Sequence, residues 1–362
     1  MENKIYNKAF VQRAVMIIIT TVIAAVLFVF SIKNSEKNKK PAETFEYSER
    51  TDFFFDTYIS VKIYHGDITD DEKYKIEDAL DEMTKMCVMY EELFSKTKET
   101  SDVSVLNKEK TAVIHNETYE IITEAIKYSK LTNGAFDITV GTLLQGYSID
   151  DKKIYNTEET EQLLDSVNYN NIMLSVDKNT PSASIADEKT LIDLGGIAKG
   201  FIADKIAEYF EKMNIENYLI NLGGNILASG AKNKAGEMYT LGIQEPFANM
   251  GENIATLKVT DMSVVTSGIY ERFFEQNGIM YHHIFSPFTG YPVQNELYSV
   301  TIISPSSTAC DALSTAVFVM GLDKGMEFIN SLDDTYAVFV DNDYKISLSE
   351  GLYFEENIIK IK

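Results

Sequence analysis

Residues 192–200, with the sequence IDLGGIAKG, constrain the fold of this chain more than any other segment. An apolar stretch that runs into two glycines is typical of a buried strand followed by a sharp turn, because glycine adopts backbone dihedral angles closed to other residues. Beyond the turn, apolar residues recur at the spacing of a helix at positions 201, 202, 206 and 210. We therefore predict a strand, a tight turn and a helix that begins near Ala198.

A helix that starts directly after such a turn is suited to bind phosphate, because its first N–H groups are free and carry a partial positive charge. The alternative is a turn whose glycines serve only packing. The segment is not a P-loop, since no Ser or Thr follows Lys199, and it is not a dinucleotide-binding GxGxxG. Taken alone, it leaves both a phosphate site and a packing turn open.

A second segment, residues 309–315 (ACDALST), carries an acid and two hydroxyls. At the start of a predicted helix, positions i, i+3 and i+4 share one face, so Asp311, Ser314 and Thr315 would form a set of oxygen atoms. Mg²⁺ prefers such hard oxygen ligands and commonly completes its shell with substrate phosphates. The alternative is a helix capped by Asp311, with both hydroxyls bonded back to the main chain.

Two further segments place polar residues among apolar ones and glycines. Asp137 lies between Phe136 and Ile138, where burial of an unpartnered carboxylate would be unfavourable; it either meets a ligand or caps backbone N–H groups. Residues 220–227 (INLGGNIL) place two amide side chains around two glycines. This arrangement suits a polar planar ring, and a simple glycine hairpin is the alternative.

The adjacent histidines His282 and His283 fall in a predicted strand. Neighbouring side chains on a strand point to opposite faces, so one of the two rings should face the interior or a cleft. A histidine in a cleft is the natural proton acceptor near neutral pH. A structural histidine with satisfied hydrogen bonds is the alternative for each.

Hydrophobic periodicity predicts an α+β domain in which helices and strands interleave without a regular βαβ rhythm. Residues 148–190 read as polar and irregular, apart from two short strands. The predicted helices cover residues 69–95, 118–131, 311–321 and 324–332, in addition to the helix from Ala198. The predicted strands cover residues 53–64, 172–176, 184–186, 218–221, 226–228, 239–243, 254–259, 263–266, 280–284, 298–303 and 335–340.

The N-terminal part of the chain contains a different kind of segment. Residues 14–32 are an apolar run without a charged residue, about the length that a helix needs to cross a bilayer. The run lacks a good cleavage site, so we predict an uncleaved signal-anchor after a short tail at 1–13, followed by a linker at 33–50 and one domain at 51–362. A short tail before a first span usually stays inside, so we expect single-pass attachment to the cell membrane with an extracytoplasmic domain.

Composition excludes two classes of protein. A formal net charge of −22 argues against nucleic-acid binding, which calls for a basic face. Two cysteines, Cys87 and Cys310, are too few for a disulfide framework.

Taken together, the segments resemble the ApbE-type FAD:protein FMN transferases. The resemblance covers about residues 53–320. It rests on FDTY at 55–58, GAFDITVG at 134–141, DLGGIAKG at 193–200, NLGGN at 221–225, TSG at 266–268, HI at 283–284, TG at 289–290 and ACDALSTA at 309–316, in the family's order. It implies a single mixed domain of the ApbE (T-fold-like) type.

The resemblance also implies an activity and its site residues. A Mg²⁺-dependent enzyme of this family splits FAD, attaches FMN through a phosphoester to a Thr or Ser of a partner protein that carries an FMN-binding domain, and releases AMP. By position, the metal would be held by the Gly196 backbone carbonyl, Asp311, Thr315 and, as in some relatives, Ser314. The flavin nucleotide would be contacted by Phe55, Ala135, Phe136, Asp137, Asp193, Lys199 and Ile284. His283 matches the family's active-site histidine, and we expect it to be the base; Asp137 could serve instead, or could orient the flavin.

Two positions depart from the family pattern. Thr97 stands where the family usually offers an aromatic side chain to the nucleotide, and Ser286 replaces an acid after the histidine. Two other functions stay open at this point: an FAD pyrophosphatase that makes free FMN and AMP, and a non-catalytic FAD-binding protein at the cell surface. The chain contains no Asp-Gly-x-Thr-Gly-Ala-Thr type acceptor sequence, so its substrate should be another protein.

Overall fold

A computed structural model describes residues 45–362 of the chain. The predicted tail, the predicted membrane anchor at 14–32 and most of the predicted linker lie outside the described residues. Within residues 45–362, no helix is both long enough and apolar enough to span a bilayer.

The described part of the chain contains seventeen strands. In chain order they are β1 (Glu46–Phe54), β2 (Thr57–His65), β3 (Thr111–Val113), β4 (Ile172–Asp177), β5 (Thr180–Ile185), β6 (Tyr218–Leu222), β7 (Asn225–Ser229), β8 (Tyr239–Gln244), β9 (Asn253–Val259), β10 (Met262–Gly268), β11 (Phe273–Gln276), β12 (Ile279–His282), β13 (Leu297–Ser304), β14 (Tyr336–Asp341), β15 (Ile346–Leu348), β16 (Leu352–Glu355) and β17 (Ile358–Ile361).

The same residues contain eight α-helices. They are α1 (Asp70–Phe94), α2 (Asp102–Glu109), α3 (Asn116–Leu131), α4 (Gly141–Leu144), α5 (Thr157–Leu164), α6 (Ala198–Lys212), α7 (Ser307–Met320) and α8 (Leu322–Asn330). Helix α1 begins at Asp70 because Thr69 and Glu72 form a capping box. Its apolar positions, spaced by three and four, turn Ile76, Leu80 and Met83 into the core.

The centre of the fold is an eight-stranded antiparallel sheet in the order β1-β2-β6-β7-β10-β13-β14-β15. Helix α7 packs on β10 and β13, and α6 packs between α7 and α1, so these helices enclose the main hydrophobic core. A four-stranded sheet in the order β16-β17-β9-β8 encloses a second core, which includes Leu241, Leu257, Ile303 and Val338. Strands β3, β5 and β4 form a small third sheet, and β11 pairs with β12.

Several turns and strand ends meet at one edge of the main sheet. Antiparallel pairing places the β1–β2 turn at residues 55–56 beside the β6–β7 turn at residues 223–224, because Ile59 is opposite Leu222. The same edge receives the end of β10 at Gly268, which is opposite Ser299 of β13. This edge lies beside the middle of α7, since Ser267 at the end of β10 contacts Ser314 and Thr315.

The predicted mixed α+β domain is confirmed, but three local predictions are wrong. Residues 53–64 form a hairpin rather than one strand, because Phe55 and Asp56 adopt left-handed dihedral angles (φ 54° and 58°) that turn the chain. The segment predicted as irregular contains α5, which a capping box of Asn156 and Glu159 starts. The helix predicted from residue 311 begins one turn earlier, since Ser306 caps it.

Candidate functional site

The side chains of Asp311, Ser314 and Thr315 lie together on one face of α7, as their spacing predicts. Ser314 Oγ donates to the Asp311 carbonyl oxygen at 3.0 Å. Ser267, at the end of β10, brings a third hydroxyl to this group: its Oγ lies 2.8 Å from Ser314 Oγ and 3.4 Å from Thr315 Oγ1. The face therefore presents one carboxylate and three hydroxyls.

The turn at residues 195–200 lies directly against this face. The Gly200 N–H donates to Asp311 Oδ2 at 2.9 Å. A Cβ placed on Gly196 would lie 3.7 Å from Thr315 Oγ1 and 3.3 Å from the Phe136 ring. The glycines thus bring the start of α6 to α7, and the two segments that are most informative in the sequence form one site.

The donor set fits a hard divalent cation. Within residues 45–362, no group of three or more His, Cys, Asp and Glu side chains could hold a metal ion. A cation here would therefore rest on the single Asp311 carboxylate, neutral hydroxyl oxygens and main-chain carbonyls, and would need further ligands. Mg²⁺ is the ion that commonly keeps waters and substrate phosphates in its shell.

Both carboxylate oxygens of Asp193 accept hydrogen bonds, next to a cavity. Its Oδ1 accepts from the Gly195 N–H at 2.7 Å, which shapes the glycine turn, and its Oδ2 accepts from Lys96 Nζ at 2.6 Å. The neighbouring cavity of about 400 Å³ is lined by Lys96, Thr97, Ser104, Asn107, Lys108, Gly141, Leu144, Gln145, Leu191 and Ile192. Thr97 is one of the lining residues and brings no aromatic ring to this cavity.

The carboxylate of Asp137 is fully engaged by the protein. Its Oδ1 accepts from the Thr139 N–H at 2.8 Å and from the Thr139 hydroxyl at 2.6 Å, and its Oδ2 accepts from the Tyr169 N–H at 2.9 Å. Burial raises the pKa of Asp137, and these hydrogen bonds oppose that rise. The side chain fixes the loop that follows α3, including Ala135 and Phe136, which are also buried.

The backbone N–H groups of Phe55 and Ile284 each donate a hydrogen bond to a side chain. Phe55 sits in the β1–β2 turn, where its N–H donates to Glu91 Oε1 at 3.0 Å and its ring is half-buried. Ile284 is buried directly after β12, and its N–H donates to His282 Nδ1 at 3.2 Å. Both positions are fixed by contacts within the protein.

The two adjacent histidines have different surroundings. His282 is buried, and its ring is bonded on both sides, with Nε2 2.8 Å from the Val293 carbonyl oxygen and Nδ1 accepting from Ile284. His283 is half-buried, and its Nδ1 lies 3.4 Å from the Arg272 carbonyl oxygen. Since a carbonyl only accepts, Nδ1 carries the proton and Nε2 keeps its lone pair. The histidine with an available ring nitrogen is His283.

Burial lowers the pKa of both histidines to about 4. For His283, the positive charges of Lys199 and Arg272 act in the same direction, while the bond to the Arg272 carbonyl opposes it. His283 is therefore neutral near neutral pH and can accept a proton. Lys199, in the first turn of α6, lies close enough to influence this ring.

Glu271 is a site residue that sequence reasoning missed. Desolvation raises the pKa of its carboxyl group, and the Asp311 charge adds to the rise while Lys199 opposes it, so Glu271 lies close to both residues. Lys96 and Ser267 were missed as well. Only Ser267 had a signal in the sequence, a hydroxyl beside a glycine at a predicted strand end in the TSG segment.

Comparisons with known proteins agree with this geometry. The model of the ApbE family matches residues 55–340. The FAD:protein FMN transferase of Treponema pallidum is 30% identical over 322 residues, which cover 85% of this chain and 88% of the relative. The FAD:protein FMN transferase of Klebsiella pneumoniae is 33% identical over 275 residues, which cover 72% and 81%. The crystal structure of the ApbE protein from Thermotoga maritima superposes with a TM-score of 0.74 at 30% identity, and covers 84% of this chain and 97% of that one.

Proposed function

This chain belongs to the ApbE family, and from that premise we propose that it is a Mg²⁺-dependent FAD:protein FMN transferase. It splits the pyrophosphate of FAD, attaches FMN through a phosphoester to a Thr or Ser of an acceptor protein, and releases AMP. The acceptor is a partner protein with an FMN-binding domain.

One observation carries the proposal more than any other. The Asp311, Ser314 and Thr315 face of α7 lies directly against the glycine turn that starts α6, with Gly200 bonded to Asp311. A cluster of oxygen ligands beside a helix N-terminus is an arrangement that can hold a cation and a phosphate together. Mg²⁺ bound there would neutralise the charge that develops on the pyrophosphate.

The other site residues bind and orient the reactants. By their positions in the family pattern, Phe55, Ala135, Phe136, Asp137, Asp193, Lys199 and Ile284 contact the flavin nucleotide. Lys199 also supplies a positive charge close to the metal face. Positioning of acceptor and nucleotide, together with neutralisation of charge, contributes most of the catalysis in phosphoryl transfer.

His283 is the base in this proposal. Its Nε2 accepts the proton of the acceptor hydroxyl, whose oxygen then bonds to the FMN phosphorus while the bond between that phosphorus and the bridging oxygen breaks. AMP leaves with the bridging oxygen. Asp137 is less suited to this role, because three donors already occupy its carboxylate.

The proposal is tested by measuring AMP release from FAD and Mg²⁺, with and without an FMN-binding domain that bears the Asp-Gly-x-Thr-Gly-Ala-Thr sequence. We expect AMP only when both the domain and Mg²⁺ are present, and none after chelation. Equal AMP release without the domain identifies an FAD pyrophosphatase. FAD that stays bound and unchanged identifies a binding protein.

We also propose that residues 14–32 anchor the chain in the cell membrane as a single span with the domain on the extracytoplasmic side. The full chain should sediment with membranes after alkaline extraction, and a chain without residues 1–40 should not. Protease added to intact cells should digest the domain. A full chain that stays in the supernatant contradicts the anchor.

A further inference from the structure

An exposed cluster of aromatic side chains lies beside the site and has no role in the proposed chemistry. We define it as the aromatic patch, formed by Phe247, Tyr270, Phe273, Tyr298 and Tyr344. The Phe247 ring is 5.9, 5.7 and 5.0 Å from the rings of Tyr270, Phe273 and Tyr298, and Tyr298 is 5.3 Å from Tyr344. Phe247, Phe273 and Tyr344 are exposed. A contiguous exposed apolar patch of this kind is typical of an interaction surface.

The backbone presents the central ring of the patch at a conformational cost. Phe247 has a φ of 61°, a left-handed conformation that is unfavourable for a bulky side chain. Met250, three residues further along the same loop, is 96% exposed. This backbone conformation holds the aromatic ring of Phe247 at the surface instead of in the core.

The patch is continuous with the reaction site. Phe273 follows Arg272, whose carbonyl oxygen holds the His283 ring, and Phe273 is paired with His282 across the β11–β12 hairpin. Tyr298 and Tyr344 lie at the edge of the main sheet where β10 ends, since Gly268 is opposite Ser299 and β14 and β15 are joined at that edge. A protein that brings a hydroxyl to His283 therefore meets this surface.

The segments that carry most of the patch are acidic. Residues 245–252, 270–280 and 341–345 contain six acidic residues (Glu245, Glu252, Glu271, Glu275, Asp341 and Asp343) and two basic ones (Arg272 and Lys345). An occupant with apolar side chains at its centre and lysines or arginines around them would be complementary to this surface, and such complementarity speeds association.

We propose that the aromatic patch is the docking surface for the acceptor protein, and that the acceptor presents an apolar centre with a basic rim next to its Thr or Ser. The inference rests on the proposed transferase function and adds where the second substrate binds. Under the proposed function, FAD binds at the glycine turn and the metal face, so the patch is expected to contribute to the binding of the acceptor alone.

The test compares the wild-type chain with Phe247→Ser, Phe273→Ser and Glu275→Lys, using the FMN-binding domain as the probe. Tyr74→Ser is the control, because Tyr74 is a still more exposed aromatic residue, 79% exposed, on α1 and outside the patch. Truncation of an interface aromatic should raise KM for the acceptor about tenfold or more. KM for FAD and the rate at saturating acceptor should stay within about twofold of wild type. Direct binding of the domain to each variant should weaken in parallel with KM.

The outcomes separate the inference from the proposed function. Normal transfer with an unchanged KM for the acceptor in Phe247→Ser and Phe273→Ser overturns the docking surface and leaves the transferase intact. A wild-type chain that neither binds the domain nor transfers flavin contradicts both. The patch could instead be an interface between two copies of this chain. The wild type would then be a dimer, and the serine variants would dissociate it without changing KM for the acceptor. That result also overturns the inference.

Discussion

At the residue scale, one hydrogen bond decides which nitrogen of His283 can act. The Arg272 carbonyl oxygen lies 3.4 Å from Nδ1, so the proton stays on that nitrogen and Nε2 can accept another. Arg272 contributes in a second way, because its positive charge disfavours the protonated ring. The same short segment thus fixes the tautomer and keeps the ring neutral.

The pH dependence of the reaction should reflect this environment. The pKa of His283 is lowered to about 4 from the ordinary value of 6.5. The ring can therefore accept a proton above about pH 4, and this ability is lost as the pH falls through that value because the ring becomes protonated. We expect kcat/KM for the acceptor to rise with an apparent pKa near 4. The profile is measured for wild type, His283→Gln and the control His282→Gln.

Two results would contradict the role of His283. One is a profile that reaches its plateau only above neutral pH. The other is a His283→Gln variant that retains both the rate and the acid limb of wild type. The His282→Gln control should keep the acid limb, because His282 has both ring nitrogens bonded to the protein.

Asp311→Asn tests the metal face without a large change in shape. The amide oxygen can still accept from Gly200, but the negative charge that attracts a cation is gone. We expect the rate to fall about 100-fold or more, since a loss of about 2.7 kcal/mol of transition-state stabilisation corresponds to that factor. The Mg²⁺ concentration for half-maximal AMP release should rise as well. Asp323→Asn, at an exposed acid on α8, is the control; equal Mg²⁺ dependence in both variants would argue against a metal at Asp311.

Some residues of the site could be predicted from the sequence and others could not. The spacing of Asp311, Ser314 and Thr315 predicts that they share one helix face, whereas Gly196 follows only from the resemblance to the family. The structure places all four close together. Lys96 and Glu271 have no such signal, because their interactions are with residues distant in the chain. Lys96 donates to Asp193, and Glu271 lies near the like charge of Asp311. From the sequence alone, a charged residue on a loop is predicted to be exposed to solvent, because the residue that it contacts is not known.

At the element scale, the site depends on how closely α6 approaches α7. Asp204 of α6 accepts from the backbone N–H groups of Ser307 and Thr308 and from the Ser306 and Thr308 hydroxyls, so it joins one helix to the N-terminus of the other. An acid at a helix N-terminus also stabilises the helix dipole. This contact sets the separation between Lys199 and Asp311.

Gly200→Ala should separate these helices. An added Cβ would lie 2.2 Å from the Ser307 carbonyl oxygen, which is main chain and cannot turn away. We expect a loss of about 1–3 kcal/mol in the free energy of unfolding, typical of an overpacked core, together with a large fall in activity because the Gly200–Asp311 bond is displaced. Denaturant unfolding and AMP release measure the two effects.

Gly66→Ala provides the comparison for this substitution. Its nearest neighbour would be Lys234 Cε at 3.7 Å, an ordinary contact, so stability should change little. If Gly200→Ala behaves like Gly66→Ala in both assays, then the close approach of α6 and α7 is not required for the site.

Among the elements, long amphipathic helices could be predicted well and turns poorly. Helix α1 lies within one residue of its prediction, because its capping box and apolar spacing are both local. The β1–β2 turn was missed, because its two left-handed positions are Phe55 and Asp56 and neither is the glycine or asparagine that usually marks such a turn. The start of α7 was predicted one turn too late: Ser306 caps it locally, and the other partner of its N-terminus, Asp204, comes from another helix.

At the scale of the whole molecule, function depends on one edge of the main sheet. Turns from β1–β2 and β6–β7, the end of β10 and the start of β13 meet there, so the nucleotide, metal and acceptor sites that we propose are adjacent. The α+β class could be predicted from periodicity, but the strand order could not. Pairings such as β17 with β9 join residues about a hundred positions apart, and no local pattern encodes them.

The most direct test of the transferase activity is the intact mass of the acceptor domain after incubation with the full chain, FAD and Mg²⁺. We expect the domain to gain the mass of one FMN less one water, at a single Thr or Ser, with one AMP released for each domain modified. His283→Gln should leave the domain unmodified. A domain of unchanged mass, while FAD is converted to free FMN and AMP, would contradict the transferase.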